Sequence, residues 1–462
     1  MTLSNSFKIL VRDFTSDIDF TSRTLGFSTE MNVPYGSVGT SSLTLTLLNN
    51  DGALTPNGGG TYTSTDWFQK AIVVDTYVGD DYISPAEKVE YVFAGLVSDF
   101  VLEDNGTQST VTITAVDALT KLTQSGKVTL PPAPPAPLET PVYPVGPVNT
   151  KVALSLPLSY LTGWDTDDSP FPKLGATSVG TFDIEQRTAS SEVDYFEYGS
   201  AIEYDSITDL MSNGICNSSN SILYPYSIYF SGSEVKYGAI YLTNSKTRDI
   251  PYDFTFTDVS PLSLGELTFA SLDLGFETPN LINRCTATGL FTSATEQNSK
   301  SPASQDKYGM RSFEMGSILA MKKNVTMDND ASTEITAQNE IEDVKSRCQE
   351  NVRRKNASSF EPQSVSFSFS QVKKFGAEST SLLAGGITSW RKIVDPAECF
   401  WNRLNLTWAG AGASSQTKSC MIVGRTIDAT PSDVLVTLVV DPYFKNHSFQ
   451  IGVDRLGEGK VA

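Results

Sequence analysis

The chemistry open to this chain is limited first by its histidine content, because the sequence contains one histidine, His447. A Ser-His-Asp or Cys-His arrangement would have to use this residue as its base. His447 lies in the polar sequence Lys445-Asn446-His447-Ser448, which is typical of a turn. A catalytic role for it is therefore not favoured, and a metal site built from several histidines is excluded.

The cysteines give no sign of a metal site or a disulfide framework. Five are present, they are far apart, and no Cys-x-x-Cys pair occurs among them, at Cys216, Cys285, Cys348, Cys399 and Cys420. Zinc sites and disulfide-rich folds both require closer or paired spacings. We predict reduced, buried thiols in a protein made in a cytoplasm.

Oxygen-rich and glycine-rich segments are equally uninformative about chemistry. Asp165-Thr166-Asp167-Asp168 and Asp328-Asn329-Asp330 lack the full calcium-loop pattern, and solvated loops are the simpler interpretation. Gly58-Gly59-Gly60 is not followed by Lys and Ser or Thr, so it is not a phosphate loop. A carboxylate pair for glycoside hydrolysis stays open, since any two of 53 acidic residues could meet. We therefore predict no catalytic, cofactor-binding or metal-binding residues, no cofactor and no enzymatic activity.

Charge and hydropathy exclude further classes of function. The formal net charge of −19 argues against a nucleic-acid reader, which needs Lys and Arg to neutralise phosphates, and against attraction to an anionic membrane. We see no secretory signal at the N-terminus and no apolar run long enough for a transmembrane helix. With 462 residues, 39% of them apolar, the chain should form about two to four domains with real cores.

The elements that would position any site are mostly strands. In residues 1–130, apolar and polar residues alternate around Phe7–Val11, Leu43–Leu47 and Val111–Ala115, and further strands are predicted at Ile72–Val78 and Val89–Val97. A short helix is predicted over 117–122. This region is predicted to be an antiparallel β-domain.

A change of composition follows at residues 131–150, which contain eight prolines. Proline favours extended geometry, so this segment is predicted to be a stiff linker or arm, or alternatively a strap that docks on a neighbouring subunit. Residues 151–315 are predicted to be a mixed α+β middle domain. It would contain a helix over 205–213, a hairpin over 224–242, a strand at Leu281–Ala287 and a polar loop over 292–307.

The C-terminal region, residues 316–462, combines a long helix with strands. Apolar residues repeat at spacings of three and four between 332 and 356, at Ala337, Ile341, Val344, Cys348 and Val352, which predicts one buried helix face. Strands are predicted around Val365–Phe369, Leu404–Trp408, Met421–Ile427 and Val434–Val440. The fold class is therefore mainly β with some α+β, and the two ends of the chain are alike in kind.

Several segments, taken in order, resemble the baseplate hub or minor tail proteins of long-tailed bacteriophages. Each is a strand followed by a characteristic turn or glycine, and their order spans nearly the whole chain. In the first quarter they are Asn49-Asn50-Asp51-Gly52 before Pro56, then Val92-Phe93-Ala94-Gly95, then Val111–Val116 before Asp117-Ala118-Leu119. Later come Leu281-Ile282-Asn283-Arg284, Tyr308-Gly309-Met310-Arg311, the helix over 332–356 and Ile427-Asp428-Ala429-Thr430-Pro431.

This resemblance implies a structural virion protein located at the tail tip or baseplate and assembled in the host cytoplasm. It implies tail-tube-like antiparallel β-barrel or sandwich domains at 1–130 and 316–462, and a homotrimer that mimics the six-fold tube. The implied partners are the tail tube or distal tail protein, the tape-measure protein, and tail fibre or tip proteins. DNA would pass the channel during ejection without sequence-specific binding, and the acidity of the chain would suit a lumen that does not trap it.

A second function from another class is a tail-associated receptor or carbohydrate-binding protein. It would use aromatic residues that look exposed from the sequence, such as Tyr62, Trp67, Tyr82 and Tyr143. The glycan hydrolase is the third and weakest alternative. A ring-forming trimer would favour the hub, whereas glycan binding by an isolated monomer would favour the receptor.

Overall fold

A computed structural model describes the chain in segments that cover most of both ends and parts of the middle. The described residues are 7–13, 16–33, 37–56, 61–62, 67, 70–76, 90–117, 119, 128–130, 146–148, 165–166, 181–186, 194–196, 202–204, 206, 208, 227–232, 237–243, 254–258, 266–276, 281–289, 297–318, 345, 348–349, 351–353, 360–368, 393, 395–410 and 414–442.

Strands dominate, which confirms the mainly β fold class. The first seven are β1 (Phe7–Asp13), β2 (Ser16–Asp19), β3 (Thr24–Asn32), β4 (Thr40–Leu48), β5 (Ala71–Thr76), β6 (Glu90–Asp104) and β7 (Ser109–Val116). The next eight are β8 (Val128–Leu130), β9 (Gly146–Val148), β10 (Asp165–Thr166), β11 (Thr181–Gln186), β12 (Asp194–Phe196), β13 (Ile202–Tyr204), β14 (Ser227–Gly232) and β15 (Tyr237–Thr243).

The second half adds ten strands and two short helices. They are β16 (Phe254–Thr257), β17 (Glu266–Leu267), β18 (Ser271–Phe276), β19 (Arg284–Gly289), β20 (Gln297–Lys300), α1 (Pro302–Tyr308), β21 (Ser312–Ile318), β22 (Phe360–Ser368), α2 (Pro396–Cys399), β23 (Arg403–Trp408), β24 (Gln416–Ala429) and β25 (Val434–Pro442). A 3-10 turn, Thr21–Arg23, lies between β2 and β3.

One 14-stranded sheet contains both ends of the chain. Its strands follow the order β17-β16-β23-β24-β3-β4-β7-β6-β5-β1-β2, and β25, β22 and β18 continue from β24 in that order. The described strands do not close into a barrel. The sheet curls instead, since the ring centroid of Phe7 on β1 lies 5.1 Å from that of Phe27 on β3.

The core lies on the face to which the alternating apolar residues point. Leu43, Leu45 and Leu47 on β4 are fully buried, as are Val111, Ile113 and Ala115 of the paired strand β7. The same cluster includes Ile427 on β24 and Val436 and Leu438 on β25, so one core serves both ends of the chain. Burying such side chains is the main stabilising contribution, about 1.5–3 kcal/mol for each large one.

The N-terminal and C-terminal strands of the large sheet meet at β24. Two strands, β23 and β3, pair along the same edge of β24. β23 pairs with Gln416–Met421, and β3 pairs with Gly424–Ala429 along the same edge, since β25 occupies the other. Where one strand gives way to the next, Trp401 N–H donates to Ile422 O at 2.9 Å and Val33 N–H donates to Val423 O at 2.7 Å. We call the β3–β24 pairing the seam.

Close approach at the seam requires two glycines. A Cβ on Gly26 would lie 2.9 Å from the carbonyl oxygen of Ala429, and a Cβ on Gly424 would lie 2.5 Å from Asn32 Oδ1 and 3.0 Å from Val439 Cβ. Glycine has no Cβ, so the backbones of β3 and β24 can pair at these points.

Parts of the middle of the chain form smaller sheets, whereas β16, β17 and β18 belong to the large sheet. β14 and β15 pair antiparallel, which confirms the hairpin predicted over 224–242, and β11 and β10 extend that sheet in parallel. β9 pairs with β12, so the end of the proline-rich segment pairs within this chain. The domain boundaries at 130, 150 and 315 stay predictions.

Two sequence expectations were wrong. The polar segment 292–307 is not a loop throughout, because β20 and α1 occupy Gln297–Lys300 and Pro302–Tyr308. Both elements carry polar residues because most of their side chains face solvent. β6 runs to Asp104 rather than ending at Val97, since pairing with β7 continues to Asp104↔Ser109 in a stretch whose alternation is weak.

The predicted helices lie mostly outside the described residues. Residues 345, 348–349 and 351–353 are helical, and Cys348 and Val352 are buried, in agreement with the predicted apolar face. Cys348 and Val352 pack against Ile282, Cys285 and Ala287. Of the helix predicted over 117–122, Leu119 is helical and Asp117 is not; of the helix predicted over 205–213, Thr208 is helical and Ser206 is in a bend. The other residues of both segments lie outside the described part of the chain.

Candidate functional site: a hydroxyl-rich face of the large sheet

From β18 to β6, the face of the large sheet opposite the core is covered by hydroxyl groups. Cross-strand partners share a face, so the register identifies its members. From the N-terminal strands they are Ser28, Ser42, Thr44, Thr46, Thr112 and Thr114. From the C-terminal strands they are Ser271, Ser364, Ser366, Ser368, Thr426 and Thr437. We call this surface the hydroxyl face.

Hydrogen bonds tie neighbouring strands together on this face. Ser28 Oγ donates to Asp428 Oδ1 at 2.5 Å across the seam. Ser364 Oγ donates to Asp273 Oδ2 at 2.7 Å, and the Ser366 and Thr437 hydroxyls lie 2.8 Å apart. The hydroxyl face is therefore continuous from β18 to β6 across both ends of the chain.

All charged members of the hydroxyl face in the described strands are acidic. Between β18 and β6 they are Glu30, Asp99, Glu103, Asp273 and Asp428. The registers place Lys8 and Arg403 on the same side of the large sheet, but on β1 and β23, outside this stretch. Such a surface offers hydroxyls and carboxylates but no cation that could hold a phosphate. It can contact a polyanion without attracting it.

Behind this face, a buried arginine links the two halves. Arg425 on β24 is 1% exposed, and its Nη2 donates to the carbonyl oxygen of Val92 on β6 at 2.9 Å. Its Nη1 donates to Ile393 O at 3.4 Å. Burial lowers the pKa of Arg425, whereas Cys399 and Asp395 act in the opposite direction.

The Asn-Asp-Gly turn after β4 is built as the sequence indicates. Gly52 has φ +66°, and Asn49 Oδ1 accepts a hydrogen bond from the Leu54 amide at 2.8 Å. Arg23 forms a two-pronged ion pair with Asp51, at 2.8 and 2.5 Å. The turn is thus fixed to the segment that precedes β3.

This ion pair predicts a small pH effect. The Arg23 hydrogen bond lowers the pKa of Asp51 from 3.8 to about 2. A lowered folded-state pKa contributes stability that is present above pH 4 and is lost as the pH falls towards 2. Because Asp51 is exposed, we expect less than about 1 kcal/mol. Urea unfolding of the wild type and Asp51→Asn should differ at pH 6 and converge at pH 2; a constant difference would contradict this assignment.

The Phe-x-Gly strand motif has a steric cause. A Cβ on Gly95 would lie 2.6 Å from the backbone oxygen of Val116 and 2.4 Å from the Phe93 ring. Phe93 itself is buried in the core. Only glycine fits between this ring and β7.

We therefore predict that Gly95→Ala lowers the free energy of unfolding by about 1–3 kcal/mol, the usual cost of overpacking. Adding Phe93→Leu should relieve the ring contact but not the contact with Val116 O, so the double variant should not regain the stability of Phe93→Leu alone. Urea-unfolding midpoints test this. Equal stability of Phe93→Leu with and without Gly95→Ala would contradict it.

The two middle motifs are brought together by one buried asparagine. Asn283 is fully buried; its Nδ2 donates to Gly309 O at 2.7 Å, and its Oδ1 accepts from the Arg311 amide at 2.7 Å. Its backbone also exchanges hydrogen bonds with Ser301 and Arg311. Both motifs can be recognised in the sequence, but the hydrogen bonds from Asn283 of the first to Gly309 and Arg311 of the second cannot.

The residues first considered for chemistry do not form a site in the described part of the chain. His447, Gly58–Gly60 and Asp328–Asp330 lie outside it, and Asp165 is in β10. Cys285, Cys348, Cys399 and Cys420 are buried and form no disulfide, burial raises the pKa of Cys420 to about 12, and Cys216 lies outside the described residues. The described residues contain no group of three or more potential metal ligands and no helix suited to crossing a membrane.

Two of the aromatic residues considered for glycan binding pack against the core, one buried and one partly exposed. Trp67 is 5% exposed and lies 5.2 Å from the Phe100 ring, between centroids. Tyr62 is half-buried against Phe20, at 5.2 Å. Tyr82 and Tyr143 lie outside the described residues. The expectation of an exposed ring was therefore wrong for Trp67, which packs in the core against Phe100 of β6, whereas Tyr62 is partly exposed.

Comparisons with known proteins give structural similarity alone. No family model and no curated protein sequence matches the chain. A tail protein from Neisseria meningitidis MC58 is 8% identical, with 94% of this chain and 96% of that chain covered and a TM-score of 0.48. The 43 kDa tail protein of prophage MuSo2 from Shewanella oneidensis is 11% identical, with coverages of 94% and 98% and a TM-score of 0.44.

The prophage tail protein gp18 from Listeria monocytogenes EGD-e is also 11% identical, with coverages of 94% and 95% and a TM-score of 0.39. At such identities, and with TM-scores below 0.5, these similarities assign no function by themselves. These three solved structures are described as tail or prophage tail proteins.

Proposed function

We propose that this chain is a structural virion protein, a hub subunit of a phage tail tip or baseplate, and not an enzyme. The observation that carries the proposal is the hydroxyl face, which spans both ends of the chain and whose described charges are all acidic. DNA moving past such a face meets no cations that would hold its phosphates. The hydroxyl face would line the channel during ejection.

The arrangement of the chain supports the same proposal. Its N-terminal and C-terminal strands form one sheet with one core, so each copy would supply two β units joined in one broad wall. Three such walls in a homotrimer would close the tail tube and present six similar units to the six-fold tube above. Contacts with the tail tube or distal tail protein, the tape-measure protein and fibre or tip proteins belong to this proposal.

Placing cations on the hydroxyl face should slow DNA ejection. We expect phage particles carrying Thr44→Lys with Thr112→Lys to assemble normally but to eject DNA several-fold more slowly at low salt, because lysines bind phosphates electrostatically. The difference should shrink as salt is raised. A fluorescence assay of DNA release from purified particles measures it.

The matched control places two lysines elsewhere on an exposed segment, as Ser415→Lys with Gln416→Lys. These should leave the ejection rate unchanged. Equal rates for both pairs would overturn the assignment of the hydroxyl face to the channel. Electron microscopy of tail tips decides the hub assignment itself, since absence of the chain from the tip would refute it.

A further inference from the structure

A chemically reactive pair of residues lies at the end of the β6–β7 hairpin. Asn105 is followed by Gly106, and both are exposed. In such a pair, the backbone nitrogen of the glycine can attack Cγ of the asparagine and close a cyclic imide, because glycine has no Cβ to block the approach. Whether the ring forms depends on what surrounds the attacking nitrogen and the carbonyl group of the side chain.

The turn that contains this pair is tight and open to water. Asn105 N–H donates to Gln108 O at 3.2 Å, which leaves Gly106 and Thr107 as the two central residues. Gly106 has φ +81°, whereas Thr107 has no positive φ, as a type II′ turn requires. Among the described residues, no atom lies within 4 Å of the position that a Cβ on Gly106 would take.

A carboxylate lies against the attacking nitrogen. The Gly106 N–H donates to Asp104 Oδ1 at 2.8 Å. A carboxylate in this position can accept the proton that the nitrogen loses as it bonds to Cγ, which is the role of a general base. The neighbouring Glu103 points to the opposite face of β6, because successive residues of a strand alternate between the two faces.

Three donors converge on the oxygen of the group that is attacked. Asn105 Oδ1 accepts from the Thr107 amide at 3.1 Å, from Thr107 Oγ1 at 2.8 Å and from the Gln108 amide at 2.8 Å. Negative charge builds up on this oxygen during the attack, and donors that are already in place stabilise it. The turn therefore combines a base for the nitrogen with donors for the developing oxyanion.

We propose that Asn105-Gly106 is a self-modification site, at which the chain converts Asn105 into an aspartyl or isoaspartyl residue. The bond between Gly106 N and Asn105 Cγ forms, and the bond between Cγ and Nδ2 breaks. Nδ2 leaves as ammonia with the proton of the Gly106 nitrogen, which Asp104 transfers. Water then opens the cyclic imide on either side, so the reaction needs no oxidant and no cofactor.

The modification changes both the charge and the backbone of the turn. Either product adds a carboxylate beside Asp104, and isoaspartate also adds an atom to the main chain. The residue after the turn is linked to the Asn-Asp-Gly turn that follows β4: the Ser109 amide donates to Asn50 Oδ1 at 2.8 Å, and Asn49 N–H donates to Ser109 O at 2.8 Å. Isoaspartate at this position loosens that link.

Comparison of the native and the unfolded chain separates promotion from protection. Peptide mass spectrometry follows Asn105 in the purified full chain at neutral pH, with and without guanidinium chloride. We expect conversion about tenfold faster in the native chain, because unfolding removes the base and the donors together. Asn298, exposed on strand β20, is the internal control and should stay unmodified in the native chain over the same time. Slower conversion in the native chain would overturn the proposal, since the hydrogen bonds would then protect the turn.

Two variants identify the groups responsible. Asp104→Asn keeps an acceptor for the Gly106 N–H but removes the base, so native conversion of Asn105 should fall about tenfold. Thr107→Val removes the hydroxyl donor and keeps the amide donor, and should slow conversion several-fold. Glu103→Gln is the matched control, which removes a neighbouring carboxylate and should change nothing.

In the unfolded state all of these chains should convert at the same rate. Near-ultraviolet circular dichroism confirms that each variant is folded before denaturant is added. Native conversion in Asp104→Asn as fast as in the wild type would refute the proposal, because the turn would then supply no base. The test needs only the purified chain, so its result is independent of the hub role.

Discussion

Replacing Arg425 by alanine should lower the free energy of unfolding by about 3–5 kcal/mol, the largest effect that we expect from one substitution. The guanidinium is buried and bonds Val92 O and Ile393 O, so its removal leaves a cavity and two carbonyl groups without this donor. These carbonyls belong to parts of the chain about 300 residues apart in sequence. Urea-unfolding midpoints measure the effect.

A graded series identifies the cause of that loss. Arg425→Met keeps much of the volume and removes only the hydrogen bonds, so we expect a smaller loss of about 1–3 kcal/mol. Arg23→Ala removes an arginine from an exposed ion pair and should cost less than about 1 kcal/mol. If Arg425→Ala were no less stable than Arg23→Ala, the buried arginine would not be a link between the two halves.

Replacing Asn283 by alanine should cost about 2–4 kcal/mol, because it leaves Gly309 O and the Arg311 amide without their buried partner. Hydrogen exchange gives a local readout: the Arg311 amide should exchange faster, whereas amides of β4 and β7 should not change. Asn298→Ala, an exposed position on the adjacent strand β20, is the control. An unchanged Arg311 amide would contradict this role for Asn283.

Much of the fold could be predicted because it depends on local alternation. Leu43, Leu45 and Leu47 alternate with threonines, and the structure buries the leucines and directs the threonines outward. The turn at Asn49–Gly52 was predictable for a similar reason, since Gly52 needs a positive φ. Such features are set by residues that are close in sequence.

The candidate site could not be predicted in the same way. Ser28 and Asp428 meet only because β3 pairs with β24, and nothing in either strand specifies a partner 400 residues away. The hydroxyl face is therefore visible as separate rows of Ser and Thr in the sequence but becomes one surface only through long-range pairing. Arg425 was missed for a related reason, because an arginine in a strand is normally expected to face solvent.

The seam also determines when the large sheet can finish folding during synthesis. β24, the strand that covers the edge of β3, is translated about 400 residues after it. At about 5–20 residues per second, the ribosome needs tens of seconds to reach it. Until then β3 presents an open strand edge in the crowded cell, so a nascent chain of this protein has to avoid premature pairing with other strands for that time.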